Sequence, residues 1–328
     1  MEGFYAFLFI FTCIFNIHPG ARAIGINYGL NGDDLPTPTD VVSLLKSKSI
    51  SNIRLFEPNP NVLEALQGSG ISVIVGTRNE DLQALASDAS AATKWVETNI
   101  LPYTSLNFKC ISAGNEVPAE QTQYLPAAMQ NLDAALTAAS QSIPVTTAVS
   151  MSVLSASDPP SKGAFGSEIM SQVTSFLVSK GGPLLLNAYT YFPRISYPEN
   201  VKLEFALFEG GATVVHDDPY SYDNLFDAMV DAVHAALEKA GGSDVEIIVT
   251  ETGWPTEGSA DASVENAMKY NNNLIRHLAA GSGTPRKPGK SVEAYIFALF
   301  NEDLKAEGVE QHWGLFYPNM TEVYPVDF

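Results

Sequence analysis

Cysteine is almost absent from this chain: its 328 residues contain only Cys13 and Cys110. Cys13 falls in the N-terminal stretch expected to be a cleaved leader, so the remainder would have a single thiol and no intramolecular disulfide. A secreted chain without that staple must rely on a large packed core, which favours one big domain over small cross-linked modules. Cys110, in a strand-like segment, reads as an inert buried thiol. Basic residues are scarce too: 18 Lys and Arg stand against 37 Asp and Glu, a formal charge of −19. That balance argues against nucleic acid or an anionic membrane as partner, since both need basic patches. A neutral substrate is compatible with it.

Long apolar runs are confined to the start. Phe4 to Phe11 and Phe15 form an apolar core too short to span a bilayer, and Ala21-Arg22-Ala23 is a small-x-small cleavage site. Residues 1–23 are therefore expected to be a secretory signal peptide, although Glu2 stands where a lysine or arginine is usual. The mature chain is expected to begin at Ile24, with its charge unchanged because Glu2 and Arg22 leave together. From Ile24 to Phe328 no run is long enough to be transmembrane, and no small-residue site with an apolar tail resembles a lipid anchor. The expected product is a soluble monomer.

Several chemistries lack their residues. His216, His234, His277 and His312 show no metal-ligand spacing, and there is no Gly-x-Ser-x-Gly elbow. No phosphate-cradling loop or dinucleotide fingerprint occurs either. Neither a metal nor a cofactor is expected.

What is present is an alternation of strand-like and helix-like segments without a linker or low-complexity break. Strands are expected at 24–28, 52–56, 72–75, 108–113, 145–149, 184–189, 245–249 and 292–300. Helices are expected at 41–46, 62–66, 91–100, 123–140, 165–180, 221–240 and 264–278. The clearest, 221–240, carries Leu225, Phe226, Met229, Val230, Val233 and Leu237 as one apolar stripe, with Ser221 able to cap its start and Gly241 to end it. Eight parallel strands joined by crossovers favour a single-domain α/β fold, a (β/α)8 barrel over 24–328; an open doubly wound sheet is the alternative.

Active sites of such barrels lie at the carboxyl ends of the strands. The fourth strand leads into Asn115-Glu116 and the seventh into Glu251, so the two glutamates can meet across the mouth. With 37 acidic residues, one glutamate after a strand is ordinarily a solvated loop residue. Two together, each following a buried strand and each with a glycine two positions away, point to a site. A facing carboxylate pair is the equipment for glycosidic bond cleavage, one protonated and one charged. Which is which does not follow from spacing.

The words IGINYG (24–29), AGNEV (113–117), NAYTYF (187–192), VTETGWP (249–255), FALFNED (297–303) and HWGLFYP (312–318) resemble, in order and over nearly the whole mature chain, the plant glucan endo-1,3-β-glucosidases of glycoside hydrolase family 17. The resemblance implies a (β/α)8 barrel with the acid on strand four and the nucleophile on strand seven. Glu116 would then be the proton donor and Glu251 the nucleophile of a retaining mechanism. Asn115 would donate to the sugar 2-hydroxyl beside the reacting carbon. Tyr28, Tyr189 and Phe192 would line sugar subsites, where flat partners suit the apolar faces of the rings. Gly253 would allow close approach, Trp254 would shape the pocket wall, and Phe300 would join the binding residues. Glu302, Lys305 and Glu310 match polar residues that the family gathers around its acid and nucleophile.

The substrate so implied is β-1,3-glucan (callose, laminarin or fungal wall glucan), cut within the chain, with a role in cell-wall remodelling or defence. Cleavage of mixed-linkage β-1,3-1,4-glucan is the alternative, and non-catalytic glucan binding a further one. The acidic charge and the short end at PVDF favour the cell wall or apoplast. Asn319-Met320-Thr321 is an N-glycosylation acceptor in a chain expected to enter the secretory route.

Overall fold

A computed structural model describes residues 24–210 and 215–328; the leader expected over 1–23 lies outside them. Eight parallel strands close into a barrel: β1 (Ile24–Asn27), β2 (Asn52–Leu55), β3 (Ser72–Gly76), β4 (Asn107–Asn115), β5 (Val145–Ser150), β6 (Leu184–Asn187), β7 (Ile247–Thr252) and β8 (Glu293–Ile296), with β1 paired to both β2 and β8. The open sheet is thereby excluded.

Alternation along the strands explains how one chain builds two cores. Val73, Val75, Leu184, Leu186, Ile247, Val249, Ala294 and Ile296 belong to the large cluster that includes the helices. Their neighbours Ile74, Leu185, Ile248 and Tyr295 join Cys110 and Ala148 in a separate compact cluster. Successive side chains point to opposite faces of a strand, so the second set fills the barrel and the first meets the helices. Cys110 is a free buried thiol, pushed by that burial up to about 12. It is too strongly protonated to act as a thiolate.

The crossovers are α1 (Pro38–Ser47), α2 (Pro60–Leu66), α3 (Leu82–Ser87) with α4 (Ala89–Asn99), α5 (Leu125–Ala138), α6 (Glu168–Lys180), α7 (Tyr191–Ser196) and α8 (Leu203–Ala206) leading to α9 (Leu225–Lys239), and α10 (Val264–Ala279). Capping sets their starts: Thr37, Asn59, Asp88, Ser167, Asn224 and Ser263 accept from backbone N–H groups of the first turn. Each such cap is worth about 1 kcal/mol. After β8 the only helical turn is a short 3₁₀ segment, Val309–Gln311. No helix among the described residues is long and apolar enough to cross a membrane.

Three sequence expectations need correction. Phe165 belongs to a small hairpin (Leu154–Ala156 with Ala164–Phe165), and α6 begins after its cap Ser167. Ser221 lies in another hairpin (Val215–Asp217 with Tyr220–Tyr222) and caps nothing; Asn224 caps α9, accepting from Asp227 N at 2.8 Å while its own Nδ2 donates to Asp227 Oδ2 at 2.9 Å. The reciprocal bond satisfies two groups at once. Finally, α9 does not show a single buried stripe, because every residue from Phe226 to Leu237 is buried. The two hairpins above and a third, Gly283–Thr284 with Lys287–Pro288, cover its outer side, and Asp231 accepts from Arg286 N of the third at 2.8 Å. Burial pushes the Asp231 carboxyl up to about 6.

Candidate active site

Irregularities at the ends of β4 and β7 aim the two glutamates. The parallel register slips between Ser112 and Asn115 on β4 and between Val249 and Glu251 on β7. Such bulges re-aim side chains at a barrel rim. Glu116 has φ +45°, a left-handed conformation that costs a non-glycine residue about 1–2 kcal/mol. Hydrogen bonds hold it there. Glu116 N donates to Ala148 O at 2.9 Å, and Asn79 clamps the preceding residue, accepting from Asn115 N at 2.9 Å and donating to Asn115 O at 2.8 Å.

Glu251 is buried at the floor of the cleft. Its Oε1 accepts from Arg54 Nη1 at 2.7 Å and Asn187 Nδ2 at 2.8 Å, and its Oε2 from Tyr189 OH at 2.7 Å. The Arg54 guanidinium, itself 1 % exposed, also donates to Asn115 Oδ1 at 2.7 Å and stacks 4.7 Å from the Phe56 ring centroid. Asn115 Oδ1 also accepts from Asn187 Nδ2 at 3.0 Å, which leaves the amide nitrogen of Asn115 as the donor available to a bound ligand. Asn187 Nδ2 reaches Glu116 Oε1 at 2.8 Å, so one amide nitrogen touches both carboxyl groups.

The surroundings of Glu116 act on its proton. Loss of hydration in the cleft raises the Glu116 carboxyl above its ordinary value, and the charge of Glu251 adds to that; the Asn187 hydrogen bond and Arg54 oppose it. Glu116 therefore keeps its proton to higher pH than a free glutamate. The Tyr189 phenol is held well above its usual range, first by burial and then by Glu251, so it serves as a hydrogen-bond donor.

The cleft measures about 860 Å³ and is lined by Tyr28, Asn115, Glu116, Tyr189, Phe192, Glu251, Glu302, Lys305 and Glu310, all singled out from the sequence. Tyr189, Phe192, Phe297 and Trp313 make a continuous aromatic wall, with Tyr189 and Trp313 centroids 5.1 Å apart and Phe192 40 % exposed. Lys305 Nζ sits 4.2 Å over the Phe297 ring and 3.3 Å from Glu302 Oε2; Glu302 Oε1 accepts from Asn31 N at 2.7 Å. Gly29 makes this possible, because a Cβ there would fall 2.4 Å from the Glu302 carboxylate. Glu310 lines the rim from the exposed 3₁₀ turn.

Two residues expected at the binding site do not line the cleft. Trp254 is fully buried behind the cleft, donating to Asp261 O at 2.8 Å and packed on Tyr191 and Tyr270. Phe300 is 2 % exposed and packs edge-on against Tyr28, which lines the cleft, and against Phe316. Gly253 does allow close approach, but of backbone: a Cβ there would sit 2.3 Å from Phe297 O.

Sequence reasoning missed Arg54, Asn79, Asn187, Phe297 and Trp313. Arg54 carried a usable cue, since a charge inside the apolar run NIRLF of a strand covered on both faces must have a buried partner.

A closed parallel barrel with paired glutamates at the ends of β4 and β7, in an aromatic-walled cleft, defines a glycoside hydrolase. The model of glycosyl hydrolases family 17 matches residues 24–328, and the chain belongs to that family. A glucan endo-1,3-beta-glucosidase of Vitis vinifera is 44 % identical over 97 % of this chain and 95 % of its own length. Lichenase-2 of Hordeum vulgare is 45 % identical over 94 % of this chain and all of its own. Among solved structures, CJP38, a beta-1,3-glucanase and allergen of Cryptomeria japonica pollen, superposes with a TM-score of 0.90 at 46 % identity, covering 93 % of this chain and 99 % of that one.

Proposed function

We propose that the protein is an endo-hydrolase of (1→3)-β-D-glucosidic linkages in linear β-1,3-glucans, acting by retaining double displacement with Glu116 as proton donor and Glu251 as nucleophile. The shared Asn187 contact carries this reading. With both Oε1 atoms 2.8 Å from one nitrogen, they lie no farther apart than twice that distance. Retaining pairs sit ~5 to 5.5 Å apart and inverting pairs ~6.5 to 9.5 Å, with a water between. Arg54 supplies the counter-charge for the attacking carboxylate, while the raised Glu116 supplies the proton. Asn115 Nδ2 is placed to donate to the sugar 2-hydroxyl as positive charge builds on the ring. The aromatic wall offers flat apolar surface to sugar rings on either side of the cut.

The relatives named above support the β-1,3 linkage, and lichenase-2 keeps mixed-linkage glucan as a second reading. Reducing-sugar release from laminarin beside barley mixed-linkage glucan separates them. Laminarin should be cut and the first-formed anomer should be β. Cleavage of the barley polymer alone would move the assignment to the second reading, and an α product would refute the retaining mechanism. If neither polymer is cut, glucan binding without catalysis becomes the function.

The same proposal places the enzyme outside the cell, in the wall or apoplast, as a monomer acting in wall remodelling or defence. Asn319 is exposed in a turn, its Oδ1 accepting from Thr321 N at 3.0 Å and Thr321 Oγ1 at 2.6 Å, which leaves Nδ2 free for a glycan. Intact mass of material secreted by a plant host should correspond to a chain starting at Ile24 and fall by one glycan on enzymatic deglycosylation. An unchanged mass would remove the glycan from the account.

A further inference from the structure

Asn187 has more acceptors around its amide nitrogen than it has hydrogens. Nδ2 lies 2.8 Å from Glu116 Oε1, 2.8 Å from Glu251 Oε1 and 3.0 Å from Asn115 Oδ1. Two N–H groups must therefore serve three oxygens. The amide cannot flip, because Oδ1 accepts from Thr250 Oγ1 at 3.0 Å and from Arg54 Nη1 at 3.3 Å, and a guanidinium only donates. Nor can the backbone drift: Asn187 is paired in parallel register with Glu251 on one side and Ser150 on the other, and it is 2 % exposed.

We propose that Asn187 is a positioning residue that passes one N–H from Glu251 to Glu116 and back as negative charge moves between the two carboxyl groups during turnover. The inference rests on the roles given above for Glu116 and Glu251. At rest the charge is on Glu251, which draws the N–H, while protonated Glu116 is the weaker acceptor. In the first step Glu251 bonds to the anomeric carbon, the bond to the leaving sugar breaks with its electron pair, and the Glu116 proton goes to that oxygen. The charge now sits on Glu116, and Glu251 is an ester. The N–H changes partner without rotation of the amide, since both oxygens already lie in range. In the second step water attacks the anomeric carbon, Glu116 takes a proton from it, and the bond to Glu251 breaks with its electron pair. The charge and the N–H return together. A donor that serves both charged forms from one fixed place needs no rearrangement at either barrier.

The test is Asn187→Ala, with pH profiles of kcat and kcat/KM on laminarin. Both carboxyl groups lose a donor that favours their charged forms, so both limbs of the profile should move to higher pH, by roughly half a unit or more. Turnover should fall at least about tenfold with little change in KM. A fall in kcat with both limbs at the parent pH would reduce Asn187 to packing. Movement of the acid limb alone would confine it to Glu251, and either result overturns the proposal. Should Asn187→Ala fail to fold, Thr250→Val removes the hydroxyl that holds Oδ1 and should give a smaller shift of both limbs in the same direction; an unmoved profile there also refutes the handover. Failure of the underlying assignment would look different, as activity retained in Glu116→Gln or Glu251→Gln.

Discussion

Glu251→Gln is expected to abolish laminarin hydrolysis, with kcat reduced on the order of 10⁴-fold and KM nearly unchanged. The amide has the shape of the carboxylate, and its Oε1 can still accept from Arg54 and Asn187, while its nitrogen can donate to the Tyr189 oxygen but no longer accept from that hydroxyl; it is also a poor nucleophile. Binding made by the aromatic wall should persist, so the loss falls on turnover. The substitution also removes the charge opposite Arg54, in a pair whose side chains are only 1 % and 8 % exposed. Removing one partner of a buried pair costs ~3–5 kcal/mol, and the surviving hydrogen bonds should bring this variant to the lower end of that range. Initial rates of reducing-end release, with thermal unfolding of the same sample, give both numbers. Residual turnover above a tenth of the parent would remove Glu251 as nucleophile.

Arg54→Met should be the most destabilising single change in the cleft. Methionine fills much of the stem's volume but leaves Glu251 without its counter-charge and Asn115 Oδ1 without its shorter hydrogen bond. The stability loss should approach the full ~3–5 kcal/mol for an orphaned buried charge. Activity should fall roughly 10²-fold or more, because both Glu251 and Asn115 lose the group that orients them. Arg54→Lys should not rescue it: an ammonium can reach Glu251 or Asn115 but cannot bridge them as the planar fork does. Urea unfolding midpoints beside kcat decide the matter. A midpoint equal to the parent's would mean that the ion pair contributes nothing to the fold.

The barrel was legible because its strands are near-continuous apolar runs, and a fully covered parallel sheet needs little else. Both glutamates were legible as well, since each ends such a run. The slips in register that aim them were not, because no residue type encodes a bulge in a parallel pair and Glu116 adopts its positive φ against its own preference. Asn187 was hidden by its innocuous type at a strand end, although the word NAYTYF contains it. Trp254 and Phe300 were misplaced for a related reason. A motif tells which residues are neighbours along the chain, not which side of the backbone each one takes, and after Gly253 the chain turns Trp254 toward α10. At α9 the local cap Ser221 lost to Asn224 because the residues before it were already paired in a hairpin.

Closure of the barrel joins its first strand to its last. Ile24 pairs with Ala294, and Asn27 Nδ2 donates to Thr250 O at 2.9 Å and Ile296 O at 3.2 Å, directly beside Glu251. During synthesis the first strand therefore has a neighbour on one edge only until the eighth has been made. Contacts so distant in sequence form slowly and leave strand edges open to the wrong partners meanwhile. The seam that completes the ring is also the one that backs Glu251, so a nascent chain can hold most of its secondary structure and still have no working cleft. Catalytic competence should thus emerge late and all at once in folding, which makes turnover a stricter reporter of correct assembly than helix content.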